Sequence, residues 1–141
     1  MTTVNPYIYF NGNCEDAFKF YASAFRTEIT YMERYKNVPA AQRKMFKEAD
    51  EKIMHATLPI STETHLMGAD NAEAHKVATA FSSFSLIIHT DTKEETDRLF
   101  SELSQSGEIK VELSLTFWGS YFGICTDKFG ITWKITARSE A

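Results

Sequence analysis

The sequence predicts an α+β fold made of two similar halves, each a strand, a helix and three further strands. The first sign is a phrase that occurs twice. An apolar strand, a polar cap and an amphipathic helix run from Asn5 to Phe25, and the same order returns from Phe84 to Leu103, about 79 residues later. The second sign is a period of two in the remaining apolar segments, which marks them as strands. The third is size. A chain of 141 residues, 43% hydrophobic and 13% aromatic, buries one core of ordinary size. We therefore expect a single domain over residues 1–141, with modules of about 1–70 and 82–141.

Tyr7-Ile8-Tyr9-Phe10 is an aromatic and β-branched strand closed by the turn residues Asn11-Gly12-Asn13. Asn13 is placed to cap a helix, with Asp16 three residues on, and Ala17, Phe18, Tyr21, Ala24 and Phe25 then form one apolar face. Glu28 to Tyr35 alternates as a strand, Pro39 interrupts, and Ala40 to Asp50 is charged and weakly helical. In the strand Lys52 to Ile60, Met54, Ala56, Leu58 and Ile60 share one face, while Ile53, His55 and Thr57 share the other. A hairpin through Ser61 to Thr64 returns to His65-Leu66-Met67-Gly68, and Asp70 to Ala80 links the halves.

The second half opens with the strand Phe84 to His89. Thr92 and Glu95 have capping-box spacing, and Thr96, Leu99, Phe100 and Leu103 make the stripe of the second helix. Ile109 to Leu115, Tyr121 to Thr126 and Ile131 to Thr136 complete the strands.

Charge and cysteine content exclude several classes of function. With 15 basic and 19 acidic residues the net charge is −4, and no Lys/Arg run is long enough to follow a phosphate backbone, so no nucleic acid partner is expected. The cluster Arg43, Lys44 and Lys47 is followed at once by Glu48, Asp50 and Glu51, as on a solvated helix face. No apolar run approaches the roughly 20 residues that span a bilayer, so no membrane association is expected and a cytoplasmic protein is. Cys14 and Cys125 are too few and too distant for a disulfide framework. Cys14 falls in a first helical turn, where the dipole lowers a thiol pKa, but no neighbouring His or Lys activates it and a packing role is expected.

Several segments narrow the reading. Phe10-Asn11-Gly12-Asn13-Cys14-Glu15-Asp16-Ala17-Phe18-Lys19-Phe20-Tyr21, Lys52-Ile53-Met54-His55-Ala56, Leu66-Met67-Gly68-Ala69-Asp70 and Phe117-Trp118-Gly119 through to Trp133 resemble the PhnB-like branch of the vicinal oxygen chelate superfamily. That superfamily includes glyoxalases, bleomycin-resistance proteins and extradiol dioxygenases. The resemblance covers nearly the whole chain. It implies an incomplete eight-stranded barrel, a small-molecule ligand in the concave face and a homodimer.

Superfamily enzymes hold a divalent metal with His or Glu on the first and last strand of each half. Here those positions fall on Pro6 and on Met67 or Gly68 in the first half, and on Phe84 or Ser85 and on Lys134 in the second. None is a good ligand for zinc, nickel, iron or manganese, so no metal is expected there. The branch carries a methyltransferase label. The six glycines are all isolated, however, and no Gly-rich turn follows a strand, so no S-adenosylmethionine site and no cofactor are expected.

The candidate ligand-binding residues are His55, Thr57, Trp118, Tyr121 and Lys134. His55, opposite an apolar set and beside Thr57, could take a proton as a neutral imidazole, or be simply a half-buried histidine with satisfied hydrogen bonds. Lys134 stands where a ligand would hold the metal and could polarise a carbonyl or pair with a carboxylate; it could equally reach solvent. Trp118 and Tyr121 lie in a run bracketed by Gly119 and Gly123 and fit a pocket wall, whereas Phe122, Phe129 and Trp133 fit a core. His65, His75 and His89 share no metal-binding spacing. Two functions remain open: a small-molecule binding protein, and a metal-independent isomerase or lyase with His55 as general base and Lys134 as electrostatic stabiliser.

Overall fold

A computed structural model describes residues 2–39, 50–71 and 83–137. It divides into two compact units, Met1–Val77 and Ala78–Ala141. The first holds β1 (Tyr7–Phe10), α1 (Cys14–Phe25), β2 (Tyr31–Arg34), a 3-10 turn (Tyr35–Asn37), β3 (Ile53–Pro59) and β4 (His65–Asp70). The second holds β5 (Leu86–Thr90), α2 (Lys93–Leu103), β6 (Glu108–Leu115), β7 (Tyr121–Thr126) and β8 (Thr132–Ala137). The strands form two four-stranded sheets, ordered β1-β4-β3-β2 and β5-β8-β7-β6. In each, the first strand runs parallel to the last and the other pairs are antiparallel. This is the βαβββ module twice over, and the fold is α+β.

Each helix covers one face of its own sheet. Cys14, Ala17, Phe18, Tyr21 and Ala24 of α1 are buried, as are Thr96, Leu99, Phe100 and Leu103 of α2. Burying one such large apolar side chain stabilises the fold by roughly 1.5–3 kcal/mol, so these stripes hold each helix down. The helices come very close to their sheets at two glycines. A Cβ on Gly68 would stand 2.9 Å from Phe18 Cε2, and one on Gly123 would stand 2.8 Å from Phe100 Cε2. A side chain at either position would lift its helix. The hairpin between β3 and β4 is closed by Ile60 N–H donating to the Thr64 carbonyl at 2.9 Å.

Three local expectations are corrected. Asn13 makes no side-chain cap to α1. Its place is taken by Asp70, 56 residues beyond Cys14, whose Oδ1 accepts from the amides of Gly12 and Cys14, both at 2.9 Å, and whose Oδ2 accepts from Ile53 N–H at 2.9 Å. A full carboxylate at a helix N-terminus takes two donors there and also favours the macrodipole. Second, Ile53 does not lie with His55. The pairing of β2 with β3 slips between Glu33 opposite His55 and Arg34 opposite Ile53, so Met54 is an extra residue and Ile53 turns into the core. Third, the strand expected from Glu28 begins only at Tyr31 and gives way to the 3-10 turn at Tyr35. In α2, Thr92 Oγ1 accepts from Glu95 N–H at 3.1 Å as expected, while the Glu95 carboxylate is held by Arg98. The helical stretch expected beyond Ala40 and most of the link after Asp70 lie outside the described residues, as does His75.

Candidate functional site

Because side chains alternate along a strand, each sheet has a second face, turned away from its helix and here termed the open face. In the first sheet Ile8 and Phe10 point to α1, so Tyr7 and Tyr9 stand on the open face of β1. Met67 of β4 is in register with Tyr7, Thr57 of β3 with Met67, and Tyr31 of β2 with Thr57. His55 sits one row along from Thr57. The result is one aromatic cluster. The His55 ring lies 5.5 Å from that of Tyr7 and 5.7 Å from that of Tyr31, and Tyr7 is 5.2 Å from Tyr9. Tyr9 is 56% and Tyr31 48% exposed, unusual for rings gathered on one sheet face.

Both imidazole nitrogens of His55 are engaged. Nδ1 is 3.0 Å from the Tyr7 hydroxyl and Nε2 is 2.9 Å from Thr57 Oγ1. Burial, followed by the nearby Tyr9, pushes the Tyr7 phenol up to about 12, so it keeps its proton at neutral pH. A neutral imidazole donates from one nitrogen and accepts at the other. If Tyr7 donates to Nδ1, then Nε2–H donates to Thr57 and the Thr57 hydroxyl hydrogen is left for a ligand. In the other tautomer the spare hydrogen belongs to Tyr7. Either way one hydroxyl hydrogen is not taken up by His55.

The second sheet places the other sequence candidates. Trp133 and Ile135 of β8 are buried under α2, and Trp133 Nε1 donates to Asp127 at 2.9 Å. Lys134, between them, is on the open face, exposed and in register with Ile87 and Ile124. Val111 of β6 faces Ile124, so one row reads Ile87, Lys134, Ile124, Val111. In the next row His89 pairs with Thr136 and Thr136 with Phe122. Trp118, 61% exposed at the β6–β7 turn, leans on Phe122 with ring centroids 6.3 Å apart. Tyr121 does not join them. It alternates with Phe122 and lies on the helix side, where its hydroxyl donates to Asp97 and Lys93 Nζ rests 4.9 Å above its ring. The Asp97 bond and then burial push that phenol up to about 12.

His55 and Thr57 are thus direct neighbours in the first unit, and Trp118 and Lys134 share an open face in the second. Sequence reasoning did not select Tyr7, Tyr9 or Tyr31. The alternation of tyrosines with Ile8 and Phe10 in β1 was the available signal. Cys14 is buried and its thiol is pushed well up by burial and then by Asp70, so it is a packing residue. His65 is half-buried at the start of β4, and its amide donates to Asn5 Oδ1 at 3.2 Å.

The groups implied by the superfamily do not fit these residues. On the open faces of the first and last strands the register places Tyr7 and Met67 in one module and Ile87 and Lys134 in the other. A phenol that keeps its proton, a thioether, an alkyl chain and an ammonium are no donor set for a hard or borderline divalent ion. The second-half counterpart of Pro6 is corrected at the same time: with Phe10 matching Thr90 at the strand ends it is Leu86, not Phe84 or Ser85. Among the described residues no three His, Cys, Asp or Glu side chains converge. A nucleoside cofactor fares no better at the helix N-termini, because Asp70 already holds the amides of Gly12 and Cys14, and Thr92 that of Glu95.

The duplicated module with its arrangement of sheets defines a protein of the vicinal oxygen chelate fold. Within it, residues 2–136 match the family described as 3-demethylubiquinone-9 3-methyltransferase, and the chain belongs to that family, the PhnB-like branch. It is 30% identical to the Escherichia coli protein YjdN over 97% of this chain and 96% of that one. The solved structure of PA1353 from Pseudomonas aeruginosa is 31% identical with a TM-score of 0.87, covering 99% of this chain and 100% of that one. The PhnB protein from Bacillus cereus is 26% identical with a TM-score of 0.78, covering 97% and 100%. Among the described residues no helix is long and apolar enough to cross a membrane.

Proposed function

We propose that this protein binds a small planar molecule bearing a carbonyl oxygen, on the open face of its first sheet. The observation that carries this is His55 fixed between two hydroxyls among exposed tyrosine rings. The rings offer flat apolar surface, and the Tyr7–His55–Thr57 chain offers one hydroxyl hydrogen not taken up by His55, the complement of an acceptor oxygen. Such convergence of a few polar groups in an aromatic setting is the usual character of a ligand site.

Catalysis by His55 is the weaker reading. A general base needs a free lone pair, and here a substrate proton reaches a ring nitrogen only after Thr57 or Tyr7 has moved aside. Lys134, the stabiliser that reading pairs with His55, belongs to the other compact unit. The methyl transfer in the family description has no support from the helix N-termini, where side chains already hold the amides of Gly12, Cys14 and Glu95.

Thermal-shift screening against quinones, small carboxylates and aromatic antibiotics tests the proposal, because a ligand selective for the folded state raises Tm. A hit should bind more weakly to Tyr31→Ala and His55→Ala, with no product formed. Quinone hits that all ignore both substitutions would refute it.

A further inference from the structure

The open face of the second sheet differs from that of the first. Its central row sets one ammonium between Ile87 and Ile124, and Ile87 is 55% exposed. Phe122 lies diagonally beside Lys134 and carries Trp118 against it. No carboxylate stands in either row, although the chain carries a net charge of −4. Among the described residues no ion pair or hydrogen bond engages Lys134 Nζ, whereas Arg34, Lys36, Arg98 and Lys110 each have a carboxylate partner.

We infer that this face binds an organic anion, a carboxylate on a flat apolar body, with Lys134 pairing the carboxylate and Ile124, Phe122 and Trp118 covering the body. A bare cation on an apolar surface draws an anion more strongly than one in water, because the ligand's own body displaces the solvent that screens the pair. His89, one row away, adds a ring N–H able to donate. A second copy of the chain seated symmetrically on this row is a poor occupant. A twofold contact centred on this row would set lysine against lysine.

The test compares 1-naphthoate with its neutral near-isostere 1-naphthamide by calorimetry. The intact protein should bind naphthoate about tenfold more tightly than naphthamide, and added salt should narrow the gap. Lys134→Met, which gives the residue already present at the matching Met67, should erase the preference, and Lys134→Arg should keep it. Trp118→Ala should weaken both ligands alike. Equal binding of the two ligands, an unchanged preference in Lys134→Met with unaltered Tm, or no naphthoate binding at all would each overturn the inference. None of these outcomes touches the first-sheet proposal, whose variants are Tyr31→Ala and His55→Ala.

Discussion

Asp70 joins three elements, and its removal should be among the most damaging single changes in the first unit. The side chain is only 2% exposed, and it accepts from the amides of Gly12, Cys14 and Ile53. In Asp70→Ala three amides lose their acceptor. At about 1–3 kcal/mol for each buried donor, and with water entering part of the space, the loss should be about 3–6 kcal/mol. That is a large share of the roughly 5–15 kcal/mol that holds a typical domain together. In Asp70→Asn the amide oxygen can keep Gly12 and Cys14, but the NH2 group meets the Ile53 N–H, and we expect about 2–3 kcal/mol. Urea unfolding followed by far-UV circular dichroism measures both. Fluorescence of Trp118 and Trp133, both in the second unit, shows in the same titration whether the two units unfold together. A loss below about 1 kcal/mol in Asp70→Ala, with an unchanged m value, would refute the view that this carboxylate is the cap of α1. The proposed ligand face is exposed to the same change, since Ile53 begins the strand that carries His55 and Thr57.

Three further outcomes are expected. Tyr7 and Tyr121 have folded pKa values raised from 10.0 to about 12, so their contribution to stability is whole below pH 10.0 and disappears as pH rises through about 12. Tyrosinate absorbance should show a late-ionising fraction that shrinks in Tyr7→Phe and in Tyr121→Phe; a single wave near the free-tyrosine value would contradict this. Cys14 and Cys125 are buried, and burial raises both thiols, that of Cys125 to about 12, so a disulfide reagent should label neither until urea unfolds the chain. Fast native labelling of either would be the contrary result. Gly68→Ala would put a Cβ 2.6 Å from the Ile8 carbonyl, forcing β1 and β4 apart at a cost of about 3 kcal/mol, and a Tm equal to the parent's would exclude that close approach.

The secondary structure was legible because it rests on local periodicity. The stripes of Ala17, Phe18, Tyr21 and Ala24 and of Thr96, Leu99, Phe100 and Leu103 are buried as their spacing predicts. The Thr92 cap was legible too, since its partner is three residues away. What failed depends on partners far along the chain. Asn13 has a cap's identity and position, yet Asp70 arrives through the β1–β4 pairing and takes the amides. One extra residue in β3 reversed Ile53, and no local pattern marks a bulge. For the candidate site, the sequence picked out His55, Thr57, Trp118 and Lys134 but could not say which share a face, nor that Tyr121 turns toward α2.

The sequence by itself determined two copies of one module, the buried faces of the two helices, and the poverty of metal donors at the superfamily positions. The first two follow from residue type and spacing alone, and the third from the residues that the family resemblance places at those positions. Only the tertiary structure decided that Tyr7 and Tyr31 gather round His55 and that Lys134 stands alone in an apolar row. Strand order and register set those neighbours, and they bring together residues dozens of positions apart by hydrogen bonds that no local window of sequence contains.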